Sequence, residues 1–237
     1  MTQINQDPRH QKNLKLKPGQ GYSLRSGSEP YKSFVVHTTN GAAGTASSAE
    51  LNFLVNSQNV SAHYLIGKDG VIYQILDPKY FVAWHAGEVS NSKYSNFYSI
   101  GVEVHFTPKE ALWRGEMWAG LTRLARVYPE LEFVTHRFIA RPRGRKIDPS
   151  GVTDPQFTNW QTSFRNPHKL ATLTVNTNLR AEPNFGNNII QVLPKGLTVV
   201  VSAEPVTGAV YNNNQMWYYC NWLGYVHASL IEIRGDV

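Results

Sequence analysis

The apolar residues of this chain come in short β-branched runs closed by turn residues, a pattern that restricts most of it to strands. Ser33 to Thr39, Ala62 to Ile66, Val71 to Leu76, Tyr98 to His105 and Phe133 to His136 each read as a strand. Gly67-Lys68-Asp69-Gly70 joins two of them as a hairpin, because Asp-Gly accepts the positive φ of a tight turn. Helical signals are fewer. Ser47-Ser48-Ala49-Glu50 fits a capping box that opens a helix through about Asn56. Ala111 to Tyr128 carries apolar residues at 117, 121, 124 and 128, the spacing of an amphipathic helix, and Pro129 stops it. Asp154-Pro155 to about Trp160 reads as a last short helix.

The texture divides the 237 residues into an arm over 1–30, a first domain over 31–164, a linker over 165–169 and a second domain over 170–237. The arm is polar and rich in Pro and Gly, which predicts little regular structure, and Asn40 to Ala46 is a Gly- and Ala-rich loop. From Leu170 onward, short apolar stretches alternate with Asn-, Gly- and Pro-containing turns: Ala171 to Val175, Ile189 to Leu193, Leu197 to Ser202, Met216 to Asn221 and Gly224 to His227. That spacing predicts a small all-β barrel.

Composition narrows the function classes. A hydrophobic fraction of 41% with 17% charged residues is globular rather than disordered. The net charge of +6 asks for a polyanionic partner. The basic cluster Arg141 to Lys146 is broken by Pro142 and Gly144, and no Lys/Arg run interleaved with aromatics marks a nucleic-acid surface. An acidic cell-wall polymer accounts for the charge equally well, so no nucleic-acid partner is expected. A single cysteine, Cys220, excludes an intrachain disulfide and a Cys-rich metal site, and its apolar setting predicts a buried thiol. No run of about 18 apolar residues is present, so no membrane insertion is expected. The N-terminus lacks the apolar core of a signal peptide, which predicts phage-type release or non-classical export. Oligomeric state is not set by the sequence.

Chemistry concentrates in two distant stretches, FVVHTT at Phe34–Thr39 and THRFIARPRGRKIDPSG at Thr135–Gly151. They supply His37, His136 and Asp148, with Lys146 two residues before the aspartate. Two imidazoles and a carboxylate match a catalytic zinc, which takes three protein ligands and keeps a fourth position open. A histidine at a strand end has an ordinary reading too, as a partner in local hydrogen bonds. The strand Tyr98 to His105 puts Val102, Val104 and Phe106 on one face and Gly101, Glu103 and His105 on the other, which aims polar groups at a definite place.

The segments FVVHTT, SAHYLIGKDG, AWHAG, SIGVEV and THRFIARPRGRKIDPSG occur in the order seen in the zinc-dependent N-acetylmuramoyl-L-alanine amidases of the type 2 family. That family includes phage lysozyme-like amidases and peptidoglycan recognition proteins. The resemblance covers roughly residues 30 to 160. It implies an α/β fold with a central mixed β-sheet flanked by helices, and a zinc ion at a surface groove. His37, His136 and Asp148 fall on the ligand positions; Asp148 matches the branch without the cysteine that many phage members carry there. Glu103 looks like the acidic residue that moves the proton, and Lys146 like a donor to the developing oxyanion. Some phage relatives carry a tyrosine where this chain has Ala62, which leaves proton transfer to Glu103 and makes His63 structural. Trp84 and His85 are candidates for lining the groove that holds the muramyl or stem-peptide portion.

The C-terminal stretch resembles a bacterial SH3-like domain over about 170 to 233. Asn178-Leu179-Arg180-Ala181-Glu182-Pro183, Leu193-Pro194-Lys195-Gly196 and the aromatic run from Trp217 to Val226 carry the likeness. It implies a cell-wall-targeting module, whose tether raises local substrate concentration. Together the resemblances imply hydrolysis of the amide between N-acetylmuramic acid and L-alanine in bacterial peptidoglycan, as an endolysin or autolysin acting at the cell wall. Two rivals remain: a non-catalytic peptidoglycan-binding protein, and an intracellular amidase recycling anhydromuropeptides. The first loses a zinc ligand in the relatives that follow it; the second has no need of a wall tether.

Overall fold

The computed structural model describes residues 4–7, 19–39, 41, 47–107, 110 and 112–237. In chain order the elements are β1 (Ile4–Asn5), β2 (Tyr22–Leu24), β3 (Ser33–Thr38), α1 (Ser47–Asn56), β4 (Tyr64–Ile66), β5 (Ile72–Gln74), β6 (Phe81–Ala83), β7 (Ser99–Val104), α2 (Gly115–Ala125), β8 (Glu132–Thr135), α3 (His136–Ile139) and α4 (Asp154–Ser163). They continue with β9 (His168–Leu173), β10 (Thr177–Arg180), β11 (Ile189–Leu193), β12 (Thr198–Ser202), β13 (Val206–Tyr211), β14 (Asn214–Cys220), β15 (Gly224–His227) and β16 (Ile231–Asp236). Packing divides the chain into two units, residues 1–112 with 127–151, and residues 113–126 with 152–237.

The first unit is built on a six-stranded mixed sheet in the order β1-β5-β4-β7-β3-β8. β4, β7, β3 and β8 run parallel, and β5 returns antiparallel beside β4 through the expected hairpin. Gly70 takes φ +76 in that turn, the conformation for which the Asp-Gly pair is suited. β3 is buried at all six residues, as a strand covered on both faces must be. α1 lays Leu51, Leu54 and Val55 against Ala62, Leu65, Ile75 and Ala83. Its first residue does not act as the predicted capping box would have it: Ser47 Oγ meets His105 Nδ1 at 2.8 Å and accepts from the Lys68 amide.

The described residues of the arm are more ordered than its composition predicts. β1 adds in parallel to β5, and β2 pairs antiparallel with β6 while Tyr22 joins the core cluster. Backbone pairing supplies what the side chains do not advertise. Of the loop expected over 40–46, only Gly41 lies within the described residues.

The second unit carries an eight-stranded sheet, ordered β11-β10-β15-β14-β12-β9-β16 with β13 paired to β14. These pairings do not close into the expected barrel. The apolar surface is covered by helix instead: α2 packs on β12 and β9 within this unit, burying Met117, Leu121 and Leu124 completely. Trp118 stands 5.0 Å from Trp222 and 6.2 Å from Trp160 of α4 between ring centroids, and Gln156 Nε2 donates to the Asn221 carbonyl at 2.7 Å. Both helices thus group with the C-terminal sheet, although the sequence places them in the first domain. β9 begins at His168, inside the stretch read as linker. Cys220 is fully buried, and burial raises its thiol pKa. Among the described residues no helix is long and apolar enough to cross a membrane.

Candidate metal centre and cleft

β3, β7 and β8 run parallel, so their C-terminal ends lie side by side, the usual place for a site in an α/β sheet. His37 is the fifth residue of β3 and faces Glu103 of β7 in register. His136 follows β8 directly and opens the one-turn helix α3, where the sequence predicts the last residue of a strand. Asp148 comes from the loop beyond it. That loop is pinned at three points: the Arg137 amide donates to Asp148 O at 2.8 Å, Arg137 Nη1 to Pro149 O at 2.6 Å, and the Ser150 amide to Thr38 Oγ1 at 3.0 Å.

His37, His136 and Asp148 are buried, and one ligand atom from each lies within 4.8 Å of the other two. Asp148 Oδ2 sits 3.1 Å from His37 Nδ1 and 3.0 Å from His136 Nδ1. The hydrogen bonds on the far side of each ring say which nitrogens carry protons. His136 Nε2 faces the Ala86 carbonyl at 3.1 Å, which only accepts, so Nε2 is the protonated nitrogen. The His37 chain is longer. Ser99 Oγ donates to Ser95 O at 2.7 Å, and so accepts from His85 Nε2 at 3.1 Å. A neutral His85 then presents a bare Nδ1 to His37 Nε2 at 3.0 Å. Burial lowers the pKa of His85 well below its usual value and that of His37 to about 4, against the opposing influence of the Asp148 carboxylate, so both rings are neutral. In the neutral tautomers both Nδ1 lone pairs converge on one carboxylate oxygen. Three electron-pair donors aimed at each other could bind a cation between them, and two histidines with an aspartate suit zinc. Burial pushes Asp148 up, but the two imidazoles beside its Oδ2 outweigh this and hold it well below the usual carboxylate range.

The donors open on a cleft of about 250 Å³. Glu103 and Lys146 line it, with Trp84, His85, Glu50 and Phe53. All seven residues singled out from the sequence therefore border one cavity. Glu103 Oε2 is out of contact with solvent and has no hydrogen-bond partner among the described residues. Burial, then the charges of Asp148 and Glu50, push its pKa up to about 8, while Lys146 works the other way. A carboxyl near neutrality is suited to taking and returning a proton. Lys146 stands exposed at the rim, on a loop held by Arg145, whose Nη2 donates to Glu88 O at 2.8 Å and Nε to Arg141 O at 2.6 Å. Trp84 donates from Nε1 to Ser23 Oγ at 3.0 Å.

His85 lines the cleft, but both its nitrogens are engaged inside the protein, and the chain it forms to Ser99 carried no signal in the sequence. Its ring lies where a side chain on Gly101 would be: a Cβ there would stand 2.3 Å from the imidazole. The glycine of SIGVEV thus makes room for the residue that orients His37. His105, one residue past the end of β7, turns instead to Ser47.

His63 is fully buried away from the donors, accepting from the Gly101 amide at 3.0 Å. Burial lowers its pKa from 6.5 to about 3. The unfolded chain therefore takes up a proton that the fold refuses, and the stability His63 confers is full above about pH 6.5 and lost as pH falls toward about 3. The slope is about 1.4 kcal/mol per pH unit. Urea unfolding from neutral to acid pH should show a shallower loss in His63→Gln than in the parent; equal slopes would remove His63 from the acid limb.

An α/β unit whose His, His and Asp could bind a metal ion, beside a cleft lined by Glu103 and Lys146, fits the mixed-sheet fold of the amidases. The chain belongs to the N-acetylmuramoyl-L-alanine amidase family, whose model matches residues 27–151. No curated protein matches it. Among solved structures it is similar to a selenomethionine derivative of AmpD, at 26% identity and TM-score 0.44 over 58% of this chain and 88% of that one. It is also similar to the amidase LysC from Clostridium intestinale (18% identity, TM-score 0.41, 60% and 87% covered). A third is AmpDh3 from Pseudomonas aeruginosa, in complex with an anhydromuramic pentapeptide (23% identity, TM-score 0.42, 52% and 56% covered).

Proposed function

We propose that the protein is a zinc-dependent amidase that cleaves peptidoglycan between the lactyl group of N-acetylmuramic acid and L-alanine, in endolysin- or autolysin-type wall lysis. The observation that carries this reading is the placement of an unpartnered, buried Glu103 oxygen in the cleft onto which His37, His136 and Asp148 converge. Those three residues would hold the ion, which when bound would supply Lewis acidity at the scissile amide. Glu103 Oε2 takes the proton from the attacking water as the new C–O bond forms. It returns that proton to the amide nitrogen as the C–N bond breaks and L-alanine leaves with a free amine. Lys146 donates from the rim to the carbonyl oxygen as it gains charge, an interaction strongest in the transition state. Trp84 and Phe53 offer apolar surface to the muramyl or peptide portion. The second unit acts as the wall tether that the SH3-like resemblance implies.

Mass spectrometry of digested peptidoglycan tests the reading: new N-terminal L-alanine with intact glycan supports it, and glycan cleavage or no cleavage defeats it. A non-catalytic wall binder predicts no release at all. The His85 chain gives a separate expectation. His85→Ala should weaken zinc binding about 10- to 100-fold in competition with a chelator, as loss of a residue that orients a ligand does. Unchanged affinity would show that His37 needs no such support.

A further inference from the structure

The second unit contains a cavity of about 160 Å³ bordered by Arg180, Phe185, Tyr211, Trp217, His227 and Asn178. Arg180 is only 9% exposed. Its Nη1 donates to Gly186 O and to Asn188 Oδ1, each at 3.0 Å, and its guanidinium carbon lies 5.3 Å from the Phe185 ring centroid. No carboxylate pairs with it among the described residues, and no hydrogen bond there uses Nε or Nη2. A buried cation without a counter-charge is costly, and folds supply one or leave a place for one.

The walls are aromatic carbon. Phe185 stands 5.1 Å from Trp217, and His227 5.4 Å from Tyr211, between centroids. Trp217 Nε1 is spent on Ala209 O, and His227 Nε2 on Asn214 O. The polar groups left without partners among the described residues include the guanidinium edge, the Tyr211 hydroxyl and the side-chain amides of Asn178 and Asn176 (Nδ2). The free Nε–Nη2 edge matches a planar carboxylate through two parallel hydrogen bonds. The volume is below the roughly 300–1,000 Å³ of ordinary small-molecule sites, which suits one terminal residue rather than a sugar chain.

We propose that this cavity binds the free carboxyl end of a short peptide, with the carboxylate on Arg180 and the terminal side chain against Phe185, Tyr211 and Trp217. The inference rests on reading the second unit as the wall-binding part, and it names the group that unit grips: the end of a stem peptide rather than the glycan.

The test uses the full isotope-labelled chain and D-alanyl-D-alanine as the probe, following the Trp217 indole and Arg180 Nε–H signals by NMR. Saturable shifts at both are expected, with the signals of Trp118, Trp160 and Trp222 unmoved. The same dipeptide with an amidated end should bind about 10- to 100-fold more weakly, the loss expected for a charge-assisted pair. Arg180→Lys, which keeps the charge and loses the fork, should weaken binding by a similar factor. Equal affinity for acid and amide overturns the proposal, as does absence of binding, or shifts confined to the Glu103 cleft. Equally tight binding of glycerol phosphate would assign the cavity to phosphate and overturn it as well. Release of L-alanine peptides by the parent protein, measured separately, decides the amidase reading whichever way the cavity behaves.

Discussion

Exchanging Glu103 for glutamine should leave zinc in place and cost about 10²- to 10⁴-fold in turnover, the range of a lost general base. The argument is positional. Oε2 has no partner among the described residues, so its removal breaks no hydrogen bond seen there. Glu103 is not among the three converging donors, so metal content should match the parent. The side chain borders the cleft, and its pKa sits near 8, where a carboxyl both accepts and returns a proton. Zinc analysis and turnover on purified peptidoglycan, measured on one preparation, separate the outcomes. Loss of metal together with activity would mean that Glu103 supports the ligands; undiminished turnover would move proton transfer elsewhere.

Replacing His37 with alanine should strip the chain of stoichiometric zinc and reduce wall lysis to background. His37 provides one of the three donors that converge among the described residues, and its Nδ1 faces the same carboxylate oxygen as that of His136. Removing it leaves two ligands, too few for the closed side of a catalytic zinc site. The fold should survive, because the central strand keeps its backbone pairing to β7 and β8. Circular dichroism should be unchanged while metal analysis shows the loss. Retained zinc or retained lysis would remove His37 from the centre, and collapse of the fold would call for His37→Gln, which fills the space.

Much of the first unit was legible because its signals are local. The β-branched run at Phe34–Val36, the Asp-Gly turn and the polar face holding Glu103 are properties of neighbours in sequence, and their strands appear in the structure. The donor set was legible through motif order. What escaped depends on distant partners. The apolar stripe of α2 announces a buried face but not which sheet it covers, so its grouping with β9 and β12 could not be read. β13 has no buried residue and β16 little burial, so neither shows the alternation that marks a strand. His85 was placed in the groove, yet its role depends on Ser99 and His37, 14 and 48 residues away. The isolation of Arg180 is likewise invisible until the strands meet.

His37 and Glu103 are opposite numbers on adjacent hydrogen-bonded strands. Their separation is therefore dictated by the ladder spacing of roughly 4.8 Å, a constant of polypeptide geometry, rather than by any loop. Lys146 and Phe53, by contrast, reach the cleft from a surface loop and from α1. Evolution can thus redraw what the mouth of the cleft accepts while the machinery that cuts stays in calibration, because the two are mounted on different parts of the frame.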